Sequence, residues 1–174
     1  MKTKLLLICI IVFSFSTFAQ EKGQFEKRTY INLEMATGTE IDFDSMWEIS
    51  TFTTGLIFEQ QLSKHWGYSV GIGINRQADV DRNIFSTLAE NQFGIKYYSM
   101  IINLSLGVHT QTLLSVDTKE YYWTKGFLLG PYMQISKNLQ IAQNWQLEPF
   151  IKAKFESQSQ PNMMIGLNCK YLLK

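Results

Sequence analysis

Cysteine and histidine are nearly absent, at two residues each among 174. That excludes a disulfide framework, a zinc ribbon and a Cys/His metal cluster. Charge is sparse as well: 16 cationic against 15 anionic residues, a pI near 7.7 and no long basic run, so nucleic acid is not an expected partner. Charged residues make up 18%, below the roughly 25% of average chains. No glycine-rich phosphate loop and no redox motif is present. Beyond the N-terminus no apolar run approaches the ~18 to 20 residues of a membrane-spanning helix. What is abundant is apolar and aromatic content, 45% and 14%, enough to exclude disorder. The length fits one domain.

The first nineteen residues read as an address. Lys2 and Lys4 form a positive start, Leu5 to Phe13 is an unbroken apolar core, and Thr17-Phe18-Ala19 places small residues at a cleavage site. This is the secretory pattern, and the core is too short for a stable spanning helix. Residues 1–19 are therefore expected to be a cleaved signal peptide and residues 20–174 the mature domain. Cleavage would remove two lysines and turn the balance to 14 cationic against 15 anionic residues. It would also leave Cys169 as the single cysteine, so no internal disulfide can form.

Along the mature chain the period is two. From Trp145 to Phe155 the odd positions are Trp, Leu, Pro, Ile, Ala and Phe, while the even positions are polar apart from Phe150. A strand sends alternate residues to opposite faces, so one face is oily and the other ionic. Residues 163–173, 66–75, 104–114 and 30–38 repeat the pattern, and weaker runs lie near 49–62, 92–101 and 122–136. On 66–75 the second face is Gly, Ser, Gly, Gly and Asn, which suits a crowded interior. Eight strands of about 10 residues fit the length with short and long connections alternating. Short turns are expected at 63–65 and 137–144. Long loops are expected at 39–46, 76–91, 116–121 and 157–162. The connection near 98–103 carries no Gly or Pro and is left open. Pro131 and Pro149 fall within strands; a hairpin centred near Gln140 would set them opposite one another at one shared bulge.

The fold expected is all-β: an eight-stranded antiparallel up-and-down transmembrane β-barrel following a signal peptide. Its inward charges are Glu34, Glu59, Glu148 and Glu156 with Lys96, Lys152, Lys154 and Lys170, four of each sign, which must pair in a filled interior without an open pore. Trp66 and Trp145 flank short turns and Trp47 and Trp123 flank long loops, as two aromatic girdles. No catalytic, cofactor or metal site is expected. His65 lies in a turn. His109 faces inward with Ser105 roughly 13 Å along the same strand, too far for a nucleophile–base pair. Glu40, Asp42 and Asp44 lack the rest of a calcium loop, and Arg76, Asp79, Asp81 and Arg82 read as a solvated loop.

Several stretches together resemble a known family. These are Phe18-Ala19-Gln20, the hairpin Gly55-Leu56-Ile57-Phe58 … Ser63-Lys64 … Gly71-Ile72-Gly73, Leu129-Gly130-Pro131-Tyr132, and Ile165-Gly166-Leu167 … Tyr171-Leu172. The chain is similar in them to the small outer-membrane barrels of Gram-negative bacteria, OmpA/OmpX-like and PorT-like. The resemblance implies residence in the cell outer membrane, both termini on the periplasmic side, and insertion by the outer-membrane assembly machinery. Gly166, Cys169 and Tyr171 fit that machinery's pattern, and the closing Lys174 departs from it. The function expected is a porin-like integral barrel with a structural or surface-interaction role, not an enzyme. It would be surrounded by outer-membrane lipid, with a loop-binding partner unidentified and no cofactor. Two alternatives remain open: a soluble exported lipocalin-like barrel binding a small apolar ligand, and a barrel enzyme modifying outer-leaflet lipid.

Overall fold

The computed structural model describes residues 25–40, 49–79, 84–116, 127–155 and 161–173. Nine strands follow one another: β1 (Arg28–Glu40), β2 (Ile49–Gln61), β3 (Trp66–Asp79), β4 (Ile84–Tyr97), β5 (Asn103–Val116), β6 (Phe127–Ser136), β7 (Leu139–Ala142), β8 (Trp145–Lys154) and β9 (Asn162–Leu172). Every pairing is antiparallel between chain neighbours, and β1 closes on β9. Strands β6 and β7 both pair with β8 and form one stave, interrupted at Lys137 and Asn138. The result is a closed eight-stranded up-and-down barrel with no free sheet edge.

The register sets its width and tilt. Tyr30 pairs with Glu59, Glu59 with Ser69, Ser69 with Gly94, Gly94 with Gly107, and Gly107 with Tyr132. Tyr132 pairs with Lys154, Lys154 with Asn162, and Asn162 with Glu40. One circuit thus climbs from residue 30 to residue 40 of β1, an offset of 40 − 30 = 10 residues. For eight staves this corresponds to a tilt of about 40° and a lumen just wide enough for side chains.

Faces divide as the period of two requires. Ile31, Leu33 and Met35 point out, while Asn32, Glu34 and Ala36 are buried. The same division holds on β8, where Ile151 is 52% exposed and its neighbours Phe150 and Lys152 are buried. Glycines make room for the large inward rings. A Cβ on Gly94 would lie 2.1 Å from the Tyr132 Oη, and one on Gly166 would lie 2.3 Å from the Phe150 Cζ. Tyr132 shares a register row with Gly107 and Gly94, and Phe150 one with Gly166, so each ring fills space its cross-strand glycine leaves.

Several connection-level expectations are corrected. The long loop expected over 76–91 is mostly strand: β3 runs to Asp79 and β4 begins at Ile84, so β4 occupies 84–97 rather than 92–101. The outward face here includes Thr87, Ala89 and Asn91. The oil/polar contrast fades while backbone pairing continues. The expected turn over 137–144 is instead β7 followed by a tight turn at Gln143–Asn144. Because the hairpin turns there, the two prolines do not meet. Pro149 faces the β6–β7 break, its carbonyl accepting the Lys137 N–H at 3.2 Å. Pro131 lies in register with Val108, and its carbonyl accepts the Phe155 N–H at 2.9 Å. The open connection is the turn Tyr98–Ile102, tied by the Ser99 hydroxyl, which accepts from the Ile102 N–H at 3.1 Å. The short turn at 63–65 is present. Glu40 and Asp79 stand in strands, not loops, and Arg76 points outward from β3. Asp42, Asp44, Asp81, Arg82, Glu156, the signal peptide and the loop centres lie outside the described residues.

Candidate functional site

The lumen is the most elaborated region of the described chain. At the turn end four ions form one cluster. Lys96 Nζ is 3.0 Å from Glu59 Oε2 and also contacts Glu148 Oε1. Lys170 Nζ is 2.5 Å from Glu59 Oε1 and 3.6 Å from Glu148 Oε2. Neutral donors saturate the carboxylates. Tyr98 Oη (3.0 Å) and Asn32 Nδ2 (3.2 Å) donate to Glu59. Ser136 Oγ (2.6 Å) and Asn168 Nδ2 (3.2 Å) donate to Glu148. Every ion of the cluster is essentially inaccessible to water. Two positive and two negative charges leave it formally neutral, which is what burial demands. Tyr98 lies beyond the end of β4. Its burial, and then the adjacent Glu59 carboxylate, hold its phenol well above the usual tyrosine range.

Towards the loop end the network thins into separate pairs. Lys152 Nζ bonds both Glu34 oxygens (2.8 and 2.7 Å) and Gln92 Oε1 at 3.1 Å. It also lies over the Phe150 ring, 5.1 Å from the centroid. Lys154 Nζ bonds both Glu90 oxygens at 2.6 Å. Around and above this pair, several buried groups have no hydrogen-bond partner among the described residues. They are Thr53 Oγ1, both amide atoms of Asn75, both ring nitrogens of His109 and both amide atoms of Gln111. Between the two regions the space beside Lys96, Ile57 and Tyr132 is about 10 Å³, room for one water at most.

The structure places Glu34, Glu59, Lys96, Glu148, Lys152, Lys154 and Lys170 inside and in contact with opposite charges. Glu90 is the residue sequence reasoning missed, because it fell in a segment read as loop. The signal was available: stepping back by two from Lys96 reaches Gly94, Gln92 and then Glu90. Trp66 and Trp145 stand outward at the turn end, Trp66 edge-on to Tyr97 (5.0 Å) and Trp145 tilted on Tyr171 (4.9 Å). Trp47 and Trp123 lie outside the described residues. His65 is held in its turn by its Nδ1, 3.1 Å from the Tyr98 carbonyl. His109 and Ser105 are both buried, and no hydrogen bond joins them. No group of three metal-ligating side chains occurs among the described residues.

No protein-family model matches the chain. No curated protein matches it either. Solved structures do match in fold. OprG, an outer membrane protein of Pseudomonas aeruginosa, aligns with a TM-score of 0.58 at 12% identity, over 83% of this chain and 96% of that one. The N-terminal β-barrel domain of Pseudomonas aeruginosa OprF aligns with a TM-score of 0.55 at 8% identity, over 85% and 100%. Neisserial surface protein A aligns with a TM-score of 0.52 at 8% identity, over 83% and 96%. The chain therefore has the fold of the small outer-membrane barrels.

Proposed function

We propose that the chain is an integral outer-membrane barrel with a filled, ion-paired lumen and a structural or surface-interaction role. One observation carries this: the polarity of the wall is inverted relative to a soluble protein. Ile72 is 63% exposed and Ile165 67% exposed, while Lys152, Lys154 and Lys170 are buried. A continuous apolar exterior is costly in water and favourable in hydrocarbon. A closed barrel is the only strand architecture that satisfies its backbone there. The secretory pattern at residues 1–19 and the outer-membrane and surface descriptions of OprG and Neisserial surface protein A point to the outer membrane. Trp66, Tyr97, Trp145 and Tyr171 would mark the turn-side interface with lipid. Insertion through the outer-membrane assembly machinery belongs to the same reading.

The alternatives fit less well. A lipocalin-like protein needs an apolar chamber, and this lumen is packed with charge. A lipid-modifying barrel needs a nucleophile in reach of a base, and His109 has no such neighbour in hydrogen-bond contact. The test is membrane fractionation followed by gel migration of unboiled and boiled samples. Outer-membrane residence with a mobility shift on boiling is expected; a soluble protein without a shift overturns the reading. Ile151→Lys should impair assembly by about 2–4 kcal/mol near the midplane. Planar-bilayer recording should show no steady conductance.

A further inference from the structure

The outer wall is not uniform at mid-height. On β8 and β9, six positions up from the turn-end aromatics Trp145 and Tyr171, stand Ile151 and Ile165, both apolar and well exposed. Six positions up from Tyr97 on β4 stands Asn91, which also points outward. At about 3.3 Å per residue and a tilt of about 40°, six residues climb roughly 15 Å. The apolar band of an outer-membrane barrel is about 25 Å tall, so Asn91 lies near its middle. Thr110 of β5 is its register partner, and the Asn91 amide donates to the Thr110 hydroxyl at 3.3 Å. The amide oxygen and second N–H have no partner among the described residues.

A groove of about 490 Å³ runs from Asn91 across the wall towards β1. It lies between two register rows, Leu56, Ile72 and Asn91 on one side and Thr54, Ile74 and Ala89 on the other. The small Thr54 and Ala89 side chains leave it open. Past Thr110 and Thr112 the same rows continue into Leu129 and Phe127 of β6, which project outward. A recess and a projection thus flank one polar pair.

We infer that this wall is the contact face between two copies of the chain standing side by side in the membrane. The inference rests on the membrane reading above. Hydrocarbon offers an amide no hydrogen bond, so Asn91 favours a protein surface over acyl chains. Lipid headgroups sit at the edges of the band, away from its middle. The partner must therefore present a donor and an acceptor at the same depth. A two-fold axis along the membrane normal meets this condition unaided, because it keeps every residue at its own height and sets the same patch against itself. An amide is donor and acceptor at once, so Asn91 can pair with its own counterpart. With the axis between β4 and β5, β3 of one copy faces β6 of the other, and Leu129 and Phe127 meet the partner's groove.

The test uses the full chain with Cys169→Ser and Met100→Cys, labelled at the exposed turn with donor or acceptor dye and reconstituted in phosphatidylcholine vesicles. Energy transfer is expected to fall along a monomer–dimer curve as the protein is diluted with lipid. Asn91→Leu with Thr110→Val should weaken association about tenfold or more. Asn91→Gln should retain it, and Ile165→Ala, at the same depth on the far wall, should leave it unchanged. Unboiled and boiled gels of each sample report whether the barrel has formed. A heat-modifiable barrel without energy transfer means that lipid alone covers the wall and overturns the proposal while the membrane reading stands. Transfer that the leucine–valine variant leaves unchanged overturns it equally. A chain that does not enter vesicles overturns both. In cells, crosslinking through Asn91→Cys in the Cys169→Ser background should capture a second copy, and capture of a different membrane protein in its place overturns the choice of partner.

Discussion

The two ends of the lumen solve the burial of polar groups differently. At the turn end Glu59, Lys96, Glu148 and Lys170 share partners, and Tyr98, Asn32, Ser136 and Asn168 occupy remaining lone pairs. At the loop end Glu90 and Lys154 hold only each other by ion pairing, amid the unpartnered atoms of Thr53, Asn75, His109 and Gln111. Removing one ion from a cluster leaves an unbalanced buried charge, whereas removing an unpartnered polar group relieves a desolvation cost. The turn end is thus the half whose ions are more fully partnered, with Asn32 Oδ1, Gln146 Oε1 and Asn168 Oδ1 its unpartnered buried atoms. The loop end is the half expected to tolerate change.

The sharpest way to break that contrast is Lys96→Met, which leaves Glu59 and Glu148 sharing Lys170. It should destabilise the barrel by about 3–5 kcal/mol in urea unfolding from lipid vesicles followed by tryptophan fluorescence. The double change Glu59→Gln with Lys96→Met leaves one balanced pair and should recover most of the loss. A single-variant cost under about 1 kcal/mol would refute the cluster's role. Next in size is Gly94→Ala, which drives a methyl into the Tyr132 hydroxyl and should cost about 1–3 kcal/mol. At the loop end the sign should reverse. Gln111→Met keeps the volume, removes two unpartnered atoms and should stabilise by about 1 kcal/mol; a loss of that size would mean the amide has a partner in the native protein.

The smallest expected effect is titration of Tyr98. Its folded pKa is raised, so its contribution is complete below about pH 10, the unfolded value, and declines as pH rises above it. Tyr98→Phe should flatten the fall in stability between pH 10 and 11, and an unchanged slope would remove Tyr98 from the account.

Much of the barrel was legible from alternation alone. Segments such as 145–155 and 163–173 carry apolar residues on one parity and polar ones on the other, so the strand and the composition of each face follow directly. The inward charges were legible for the same reason. Legibility failed where contrast failed. In 76–79 and 84–91 both faces mix polar with apolar residues, such as Leu88 inward beside Ser86 and Phe85 outward beside Thr87 and Asn91, and Glu90 was lost with the strand that carries it. It failed again at 137–144, where neither Gly nor Pro marks the turn at Gln143–Asn144.

Period two, balanced charge and the absence of a helical span determined by themselves that this chain makes amphipathic strands, because side-chain parity is a local property of the extended backbone. Which lysine meets which glutamate was decided only in three dimensions. Lys152 meets Glu34 across 118 positions of sequence, and Lys170 meets Glu59 across 111. Those partners are set by the ten-residue offset of the closed sheet, which brings distant strands to one level of a lumen too narrow for an ion to remain apart.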